Sequence, residues 1–352
     1  MTDEVDLFGL LDEFAPEEFH VVRRRDLGLT AFIALDDLRL GPACGGIRWR
    51  AYPSPEVGAR DVLRLARAMT YKNALAGLDF GGGKTVVLRD VAMDPARAFP
   101  ALGEAIEGLG GRYVTACDYG TTTRELALVK TRTNYALAEG EDGALDLGTA
   151  TGVLSASRAI WRRLASAPTL RGAHVVVQGV GDVGLPLVRL LQAEGAIVAF
   201  TEVDEDKAAH CAATTGASRI AADILFASDM DIFCPCAVGE VITEEVARTF
   251  RARGVAGAAN NQLATEAAGA VLRDRGVLYV PDFVANAGAV IVGFETGAGR
   301  AASALEVVRR IEARALQVFE HAEAAGMTTA EAALALARAR LDSSDSGGRG
   351  PR

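Results

Sequence analysis

What the chain has little of narrows its chemistry first. Its 352 residues include only five cysteines and four histidines. The cysteines are odd in number and none forms a C-x-x-C pair, so a reducing cytoplasmic compartment is expected. Cys234 and Cys236 form a C-x-C around a proline. No further Cys or His cluster supplies the remaining ligands, so they read as buried thiols at a strand end, and no metal is expected. His20, His174, His210 and His321 are scattered, and none has a nearby Ser or Cys that would mark a triad. No stretch has the length and apolarity of a membrane span, so no membrane partner is expected. There is no basic stripe. A net charge of −9 and a pI near 5.2 argue against a nucleic-acid partner. The N-terminus, M-T-D-E-V-D, is acidic and lacks a signal-peptide pattern.

What is present is a large apolar inventory. Half of the residues are hydrophobic and 24% are charged, enough for sizeable cores in a chain whose length points to two domains. The chain is organised around Lys72 to Lys84, K-N-A-L-A-G-L-D-F-G-G-G-K. Val57, Leu63, Ala66 and Met69 fall at helical spacing. Ser54 is placed as an N-cap, Pro55 as a first-turn proline and Gly77 as a stop, which predicts a helix over 55–76. T-V-V-L after Lys84 predicts a strand over 85–89. Gly81, Gly82 and Gly83 are read as a bare approach to Lys84, and Gly45 and Gly46 as a second place where a ligand meets backbone. Of two neighbouring ammonium groups, one can hold a carboxylate while the other, desolvated and facing a like charge, becomes a base. The plain alternative is two solvated lysines beside a flexible turn.

Further on, Asp94-Pro95 opens a helix to about Leu109, and Arg112–Ala116 is a short strand that delivers Asp118 into a turn. Residues 139–150 are polar and glycine-rich and read as a hinge and domain boundary, with a helix from Thr151 to Leu164 beyond it. His174–Gln178 then reads as a buried strand. The turn Gly179-Val-Gly181-Asp182-Val183-Gly184 follows, then a helix, a strand, and Glu202 at the strand end. That order fits a dinucleotide site, with the glycines aiming a helix N-terminus at a pyrophosphate. An acid at this distance suits a ribose diol and repels a 2′-phosphate, so NAD is expected rather than NADP. Asp204 is an alternative ribose partner. Repeated strand–loop–helix units predict a doubly wound, largely parallel sheet. Amphipathic helices are predicted over 302–323 and 328–341, and the last ten residues read as disordered.

Six segments occur in one order: G-P-A-C-G-G-I-R, M-T-Y-K-N-A-L-A-G-L-D-F-G-G-G-K, R-Y-V-T-A-C-D-Y-G-T, G-V-G-D-V-G, A-A-N-N-Q-L and P-D-F-V-A-N-A-G-A-V-I. Together they resemble the leucine, valine, phenylalanine and glutamate dehydrogenase family over roughly residues 20–330, and the leucine/valine/phenylalanine branch best. The resemblance implies an α/β fold in which an N-terminal α/β substrate-binding and oligomerisation domain (1–139) and a Rossmann-like, doubly wound NAD-binding domain (140–325) flank a cleft. A C-terminal helix (326–341) would pack back on the first domain, and 342–352 would be a disordered tail. A homo-oligomer is implied.

The resemblance also implies roles. Lys84 would be the general base and Asp118 would assist its proton transfer. Lys72 would hold the substrate carboxylate, helped by the backbone at Gly45 and Gly46, and Asn261 would contact the substrate. Cys44, Met69, Ala116, Val290 and Gly293 would shape the side-chain space. Gly179, Gly181, Asp182, Val183, Gly184 and Glu202 would bind NAD, with Thr149, Ala237 and Asn286 along the nicotinamide side. The implied reaction is L-amino acid, NAD⁺ and water to 2-oxo acid, ammonium and NADH, reversibly.

Glutamate enzymes carry lysine where this chain has Cys44, so glutamate is not the expected substrate. The leucine enzymes carry leucine there and valine at the place of Gly293. Both replacements remove volume, which leans the expectation to phenylalanine or tryptophan, with leucine or valine possible. Phe294 or Met69 are candidates to refill the space. Residues 136–149 depart from the family's usual hinge, Ala289 stands where the branch often has glycine, and Cys117 is acidic in some relatives. Two rival readings stand beside this one. A 2-hydroxy-acid dehydrogenase would place a histidine among the glycine-lined motifs, and none is there. A non-catalytic NAD-binding paralogue would have lost Lys72, Lys84 or Asp118, and all three are present.

Overall fold

The computed structural model describes residues 6–137 and 143–345. The chain divides into two compact units, Met1–Glu139 with Ala337–Arg352, and Gly140–Leu336.

The first unit starts with α1 (Leu7–Phe14), β1 (Glu18–Arg24), β2 (Leu29–Asp37), β3 (Ala43–Arg50), α2 (Pro55–Ala76) and β4 (Gly81–Leu88). It continues with α3 (Pro95–Glu107), β5 (Tyr113–Cys117) and α4 (Thr123–Lys130). Its five strands lie in the order β1-β2-β4-β3-β5. The β1–β2 and β2–β4 pairs are antiparallel, and β3 runs parallel to both β4 and β5. Strand side chains alternate between faces. Leu29, Ala31, Ile33, Leu35, Ile47 and Val87 form a core with Phe99, Leu102 and Ile106 of α3 and Leu126 and Val129 of α4. Phe32, Ala34 and Val86 point the other way, onto Leu10 and Phe14 of α1 and Val62, Leu63 and Ala66 of α2. Each large side chain buried this way is worth about 1.5–3 kcal/mol.

Helix α2 is bounded as its sequence requires. The Val57 N–H donates to Ser54 Oγ at 3.4 Å, and Gly77 closes the helix at φ +78°. Two glycine-rich segments read as bare backbone for a ligand to approach are strand. Gly81–Gly83 open β4, and Gly45 and Gly46 lie within β3. The reason is close approach rather than turning. A β-carbon on Gly82 would collide with Thr70 and the Ala66 carbonyl of α2, one on Gly81 with the Asp37 carbonyl, and one on Gly45 with the Gly83 carbonyl. These glycines let helix and neighbouring strands meet backbone to backbone, and they do not leave a hollow.

The second unit contains α5 (Ala144–Ala165), β6 (His174–Gln178), α6 (Gly184–Ala193), β7 (Ile197–Thr201), α7 (Glu205–Thr215), β8 (Ser218–Arg219) and β9 (Ile232–Pro235). After these come α8 (Glu244–Thr249), β10 (Gly254–Val255), α9 (Glu266–Asp274), β11 (Leu278–Tyr279), α10 (Asp282–Ala285) and α11 (Gly288–Gly297). Helices α12 (Ala304–Val308) and α13 (Ile311–Ala325) follow, and α14 (Thr329–Asp345) begins in this unit and belongs to the first unit from Ala337 on. The sheet order is β11-β10-β9-β6-β7-β8, with every pair parallel. This is the doubly wound arrangement. The strand order reverses direction at β6, between β7 and β9, where such sheets take ligands.

Three boundaries differ from the sequence expectation. Helix α5 begins at Ala144, not Thr151, so the expected hinge is helical from Ala144 on, and 138–142 lie outside the described residues. Gly143, at φ +78°, starts the helix in place of a polar cap. The expected helix over 302–323 is α12 and α13, separated at Arg309 and Arg310. Helix α14 continues through 342–345, part of the expected tail, and the expectation of disorder for 346–352 falls outside the described residues. Within the first unit, Arg340 of α14 donates to the Ala74 carbonyl at 2.7 Å and to Asp79 Oδ1 at 3.0 Å. The Ala74 carbonyl lies in the last turn of α2, and Asp79 lies just beyond the Gly77 that ends it. Among the described residues, no helix is long and apolar enough to cross a membrane.

Candidate active site

In the first unit, alternation puts Lys84 opposite Gly83 and Thr85, on the sheet face that α2 covers. Lys84 is only 5% exposed. Its Nζ lies 3.1 Å from Asp118 Oδ2. Arg48 Nε donates to the same Oδ2 at 2.9 Å. The Arg48 Nη1 donates at 3.3 Å to Asp61 Oδ2 on α2, which also accepts the Tyr52 hydroxyl at 2.8 Å. Arg64 holds the other Asp61 oxygen at 2.9 Å. The result is an alternating chain of charges, Lys84–Asp118–Arg48–Asp61–Arg64.

Asp118 is held in place by backbone. Its N–H donates to Thr121 Oγ1 at 3.0 Å, and Thr121 Oγ1 donates to the Ile47 carbonyl at 2.7 Å. Gly46 makes room for it, since a β-carbon there would stand 2.8 Å from Asp118 Cβ. Gly45 is set against α2 in the same way, with Met69 Cγ 3.3 Å from its missing β-carbon. Lys72 is half-buried, three residues past Met69, on the same side of the helix. Ala116 is half-buried on β5.

The charges follow from this packing. Burial pushes the Lys84 pKa down, and the Arg48 guanidinium adds to that, while Asp118 pulls it back up. Arg48 is thus a like charge acting on Lys84 that the sequence reading did not name. Burial works against the Asp118 carboxylate, but the Lys84 and Arg48 charges together hold its pKa below the ordinary value. The Arg48 pKa is raised: burial opposes its charge, and Asp118 and Asp61 outweigh burial. Burial drives the Cys44 thiol up to about 12 despite the nearby Lys84 charge, so Cys44 is a small neutral wall.

In the second unit the three glycines of the β6–α6 turn have three different reasons. Gly179 sits at φ +87° with Ala237 against its missing β-carbon. Gly184 is pressed onto the Gly179 carbonyl, where a β-carbon would collide. Gly181 has nothing within 4 Å of that position, so the backbone is open to an approaching group. Asp182 is exposed and Val183 half-buried beside it, at the start of α6. At the end of β7, Glu202 accepts the Val180 N–H at 2.9 Å, Val203 N–H at 2.8 Å and Asp204 N–H at 3.0 Å. Burial raises its pKa, but those backbone donors outweigh burial and leave the group lowered, hence ionised. Asp204 instead caps α7 through the Asp206 and Lys207 N–H groups.

The remaining candidates spread over the same unit. Asn261 is exposed and held at φ +53°, with its N–H donating to Asp282 Oδ2 at 2.7 Å and its carbonyl accepting the Glu240 N–H. Asn tolerates this left-handed backbone better than most residues. Asn286 donates to the Ala258 carbonyl at 3.1 Å and to Asn260 Oδ1 at 2.8 Å, while its own buried Oδ1 has no donor among the described residues. The buried Gln178 Oε1 at the end of β6 is in the same state. Thr149 lies in α5, and its hydroxyl donates to the Leu145 carbonyl at 3.1 Å. Val290 is half-buried and Gly293 buried in α11, with Phe294 half-buried beside them.

The sequence reading missed Arg48, Asp61 and Tyr52 in the first unit and Asp282 in the second. Arg48 stood inside a motif that had been singled out for its glycines. Its partner Asp118 is 70 positions away, and no local pattern marks that pairing.

Comparisons with known proteins bear on these geometries. The family described as "Glu/Leu/Phe/Val dehydrogenase, dimerisation domain" matches residues 17–135, and "Glutamate/Leucine/Phenylalanine/Valine dehydrogenase" matches residues 201–343. The chain is 38% identical to a leucine dehydrogenase from Thermoactinomyces intermedius over 342 residues, 96% of this chain and 93% of that protein. It is 37% identical to a phenylalanine dehydrogenase from Bacillus thermotolerans, over 90% of this chain and 86% of that protein. Among solved structures, L-tryptophan dehydrogenase from Nostoc punctiforme superposes with a TM-score of 0.88 at 32% identity, covering 96% of this chain and 99% of that one.

Proposed function

Since the chain belongs to the Glu/Leu/Phe/Val dehydrogenase family, and is thus an amino-acid dehydrogenase acting on CH–NH2 groups, we propose that it catalyses the NAD-linked, reversible oxidative deamination of an apolar L-amino acid. The observation that carries this reading is the buried Lys84–Asp118 pair, an amine held out of water with its charge disfavoured. Deamination needs a base near neutral pH to take a proton from the water that replaces nitrogen at the α-carbon. Lys84 Nζ is that base, and Asp118 keeps it aimed without fully neutralising it. Lys72 binds the substrate carboxylate by charge.

The β6–α6 turn fits a dinucleotide. The open backbone at Gly181 and the N-terminus of α6 suit a pyrophosphate, and the ionised Glu202 suits a ribose diol and opposes a 2′-phosphate. The undonated Gln178 Oε1 and Asn286 Oδ1 are acceptors for amide or hydroxyl hydrogens. NAD⁺, when bound, supplies the hydride acceptor. Asn261 orients the substrate, and Thr149 and Ala237 complete the nicotinamide side.

The substrate reading rests on small side chains. Cys44 is neutral and cannot pair a distal carboxylate, and it carries less volume than leucine, as Gly293 carries less than valine. A bulky or aromatic substrate, phenylalanine or tryptophan, is favoured over leucine or valine. One methylene is worth only about 1–3 kcal/mol in discrimination, so the range is broad. A scan of twenty L-amino acids with NAD⁺, read at the NADH absorbance, tests the whole reading. Turnover of apolar amino acids, reversed by the 2-oxo acid with ammonium, is expected. A clear preference for valine defeats the enlarged side-chain space, and a preference for NADP⁺ over NAD⁺ defeats the Glu202 assignment.

A further inference from the structure

The charge chain behind Lys84 holds more residues than proton transfer requires. Asp118 Oδ2 takes both Lys84 Nζ, at 3.1 Å, and Arg48 Nε, at 2.9 Å. A carboxylate shared by two cations holds each less tightly than it would hold one. Arg48 is not free to leave, because Asp61 Oδ2 anchors its Nη1 at 3.3 Å, and Tyr52 and Arg64 fix Asp61. The anchor sits on α2 and the shared acid after β5, so the guanidinium ties helix to sheet edge beside the base.

We propose that Arg48 is a positioning residue for Lys84: anchored by Asp61, it takes up part of the Asp118 charge and so prevents Asp118 from locking Lys84 as a permanent ammonium. The inference rests on the reading of Lys84 as the base. The titratable groups that act on this amine from the packed elements include Arg48 and Cys44 from β3, Asp61 from α2 and Asp118 beyond β5. Arg48 is a cation that shares the Asp118 carboxylate with Lys84, and its side chain is only 18% exposed. A guanidinium suits this position. It keeps its proton at any working pH and offers separate N–H groups to two carboxylates at once, which an ammonium on a shorter reach does not.

The test reads Lys84 directly. Only four of the 37 basic residues are lysine, Lys72, Lys84, Lys130 and Lys207. Full-length protein labelled at lysine ε-carbons therefore gives four side-chain signals, and Lys84→Met assigns one of them. Titration of wild type, Arg48→Met, Arg48→Lys and Asp61→Asn follows that signal with pH. Arg48→Met returns Asp118 to Lys84 alone, and the Lys84 midpoint rises by about one pH unit. Asp61→Asn removes a negative charge from Lys84's surroundings and commits Arg48 to Asp118, so the midpoint falls. Arg48→Lys lies between wild type and Arg48→Met.

Opposite signs in the two neutralising variants are not expected of a merely structural role. In parallel, the acid limb of the kcat/KM profile moves with the signal. A Lys84 midpoint unchanged in both Arg48→Met and Asp61→Asn overturns the proposal. So does a midpoint that moves the same way in both. If Arg48→Met does not fold, Arg48→Lys and Asp61→Asn still carry the comparison. If the signal behaves as stated but no amino acid is turned over with NAD⁺, the electrostatic coupling holds and the reading of function fails.

Discussion

Lys84 and Lys72 are the same residue type with different surroundings, and their replacements separate accordingly. Lys84→Ala is expected to lower kcat by two to four orders of magnitude, about the usual contribution of a positioned base, with NAD⁺ affinity kept. Lys72→Ala is expected to act mainly on KM for the amino acid. Steady-state kinetics with a fluorescence titration of NADH checks both. The same amine leaves a mark on stability. Its folded pKa lies below 10.5, so between those two values the native chain binds fewer protons than the unfolded chain, and stability rises with pH through that window. Urea unfolding of Lys84→Met should lose that rise. Asp118 behaves in the opposite pH range. Its folded pKa is below 3.8, so the stability it contributes is present above that value and is lost as pH falls through the folded one. Asp118→Asn should show a shallower loss in acid. Neither effect was legible locally, because burial and the mutual contacts of Lys84, Asp118 and Arg48 set both values, and those three residues come from β4, the turn after β5 and β3.

At the scale of the element, helix α2 and the β6–α6 turn were readable because their determinants are near neighbours. Ser54, Pro55 and Gly77 mark the ends of α2 within the helix's own sequence, and strand, glycines, helix and acid appear in order around Gly179. Strand β3 and the start of β4 were not readable. A run such as C-G-G-I reads as a turn, and only the close approach of the Gly83 carbonyl to Gly45 and of Thr70 and the Ala66 carbonyl to Gly82 explains why side chains are missing there. The feature that hid the strands is what holds helix and sheet together. Gly82→Ala is accordingly expected to destabilise the first unit by at least about 1–3 kcal/mol, measured by chemical denaturation, since the Thr70 amide and Ala66 carbonyl cannot withdraw without moving α2. Gly77→Ala, with open space around it, has only its positive φ to contend with and should cost less, about 1 kcal/mol. The early start of α5 has a similar cause. A glycine-rich, acidic stretch looks like a linker until Gly143 is seen to turn the chain into the first helical hydrogen bonds.

For the whole molecule, the two kinds of sheet were legible as an α/β chain because the hydrophobic runs are short and separated by helical periods. The match of residues 17–135 to a dimerisation domain points to oligomerisation. Light scattering is expected to give a mass that is a multiple of 36.8 kDa, and a value of 36.8 kDa itself at micromolar concentration would refute it. The same chain carries its positive charge almost entirely as guanidinium. Lys130 and Lys207 are exposed, while Lys72 is half-buried and Lys84 buried. Aldehyde coupling to a solid support, which needs a free primary amine, would thus find two ready handles among the lysine side chains, one on each compact unit. Immobilised preparations should tether at those two points and leave the base untouched.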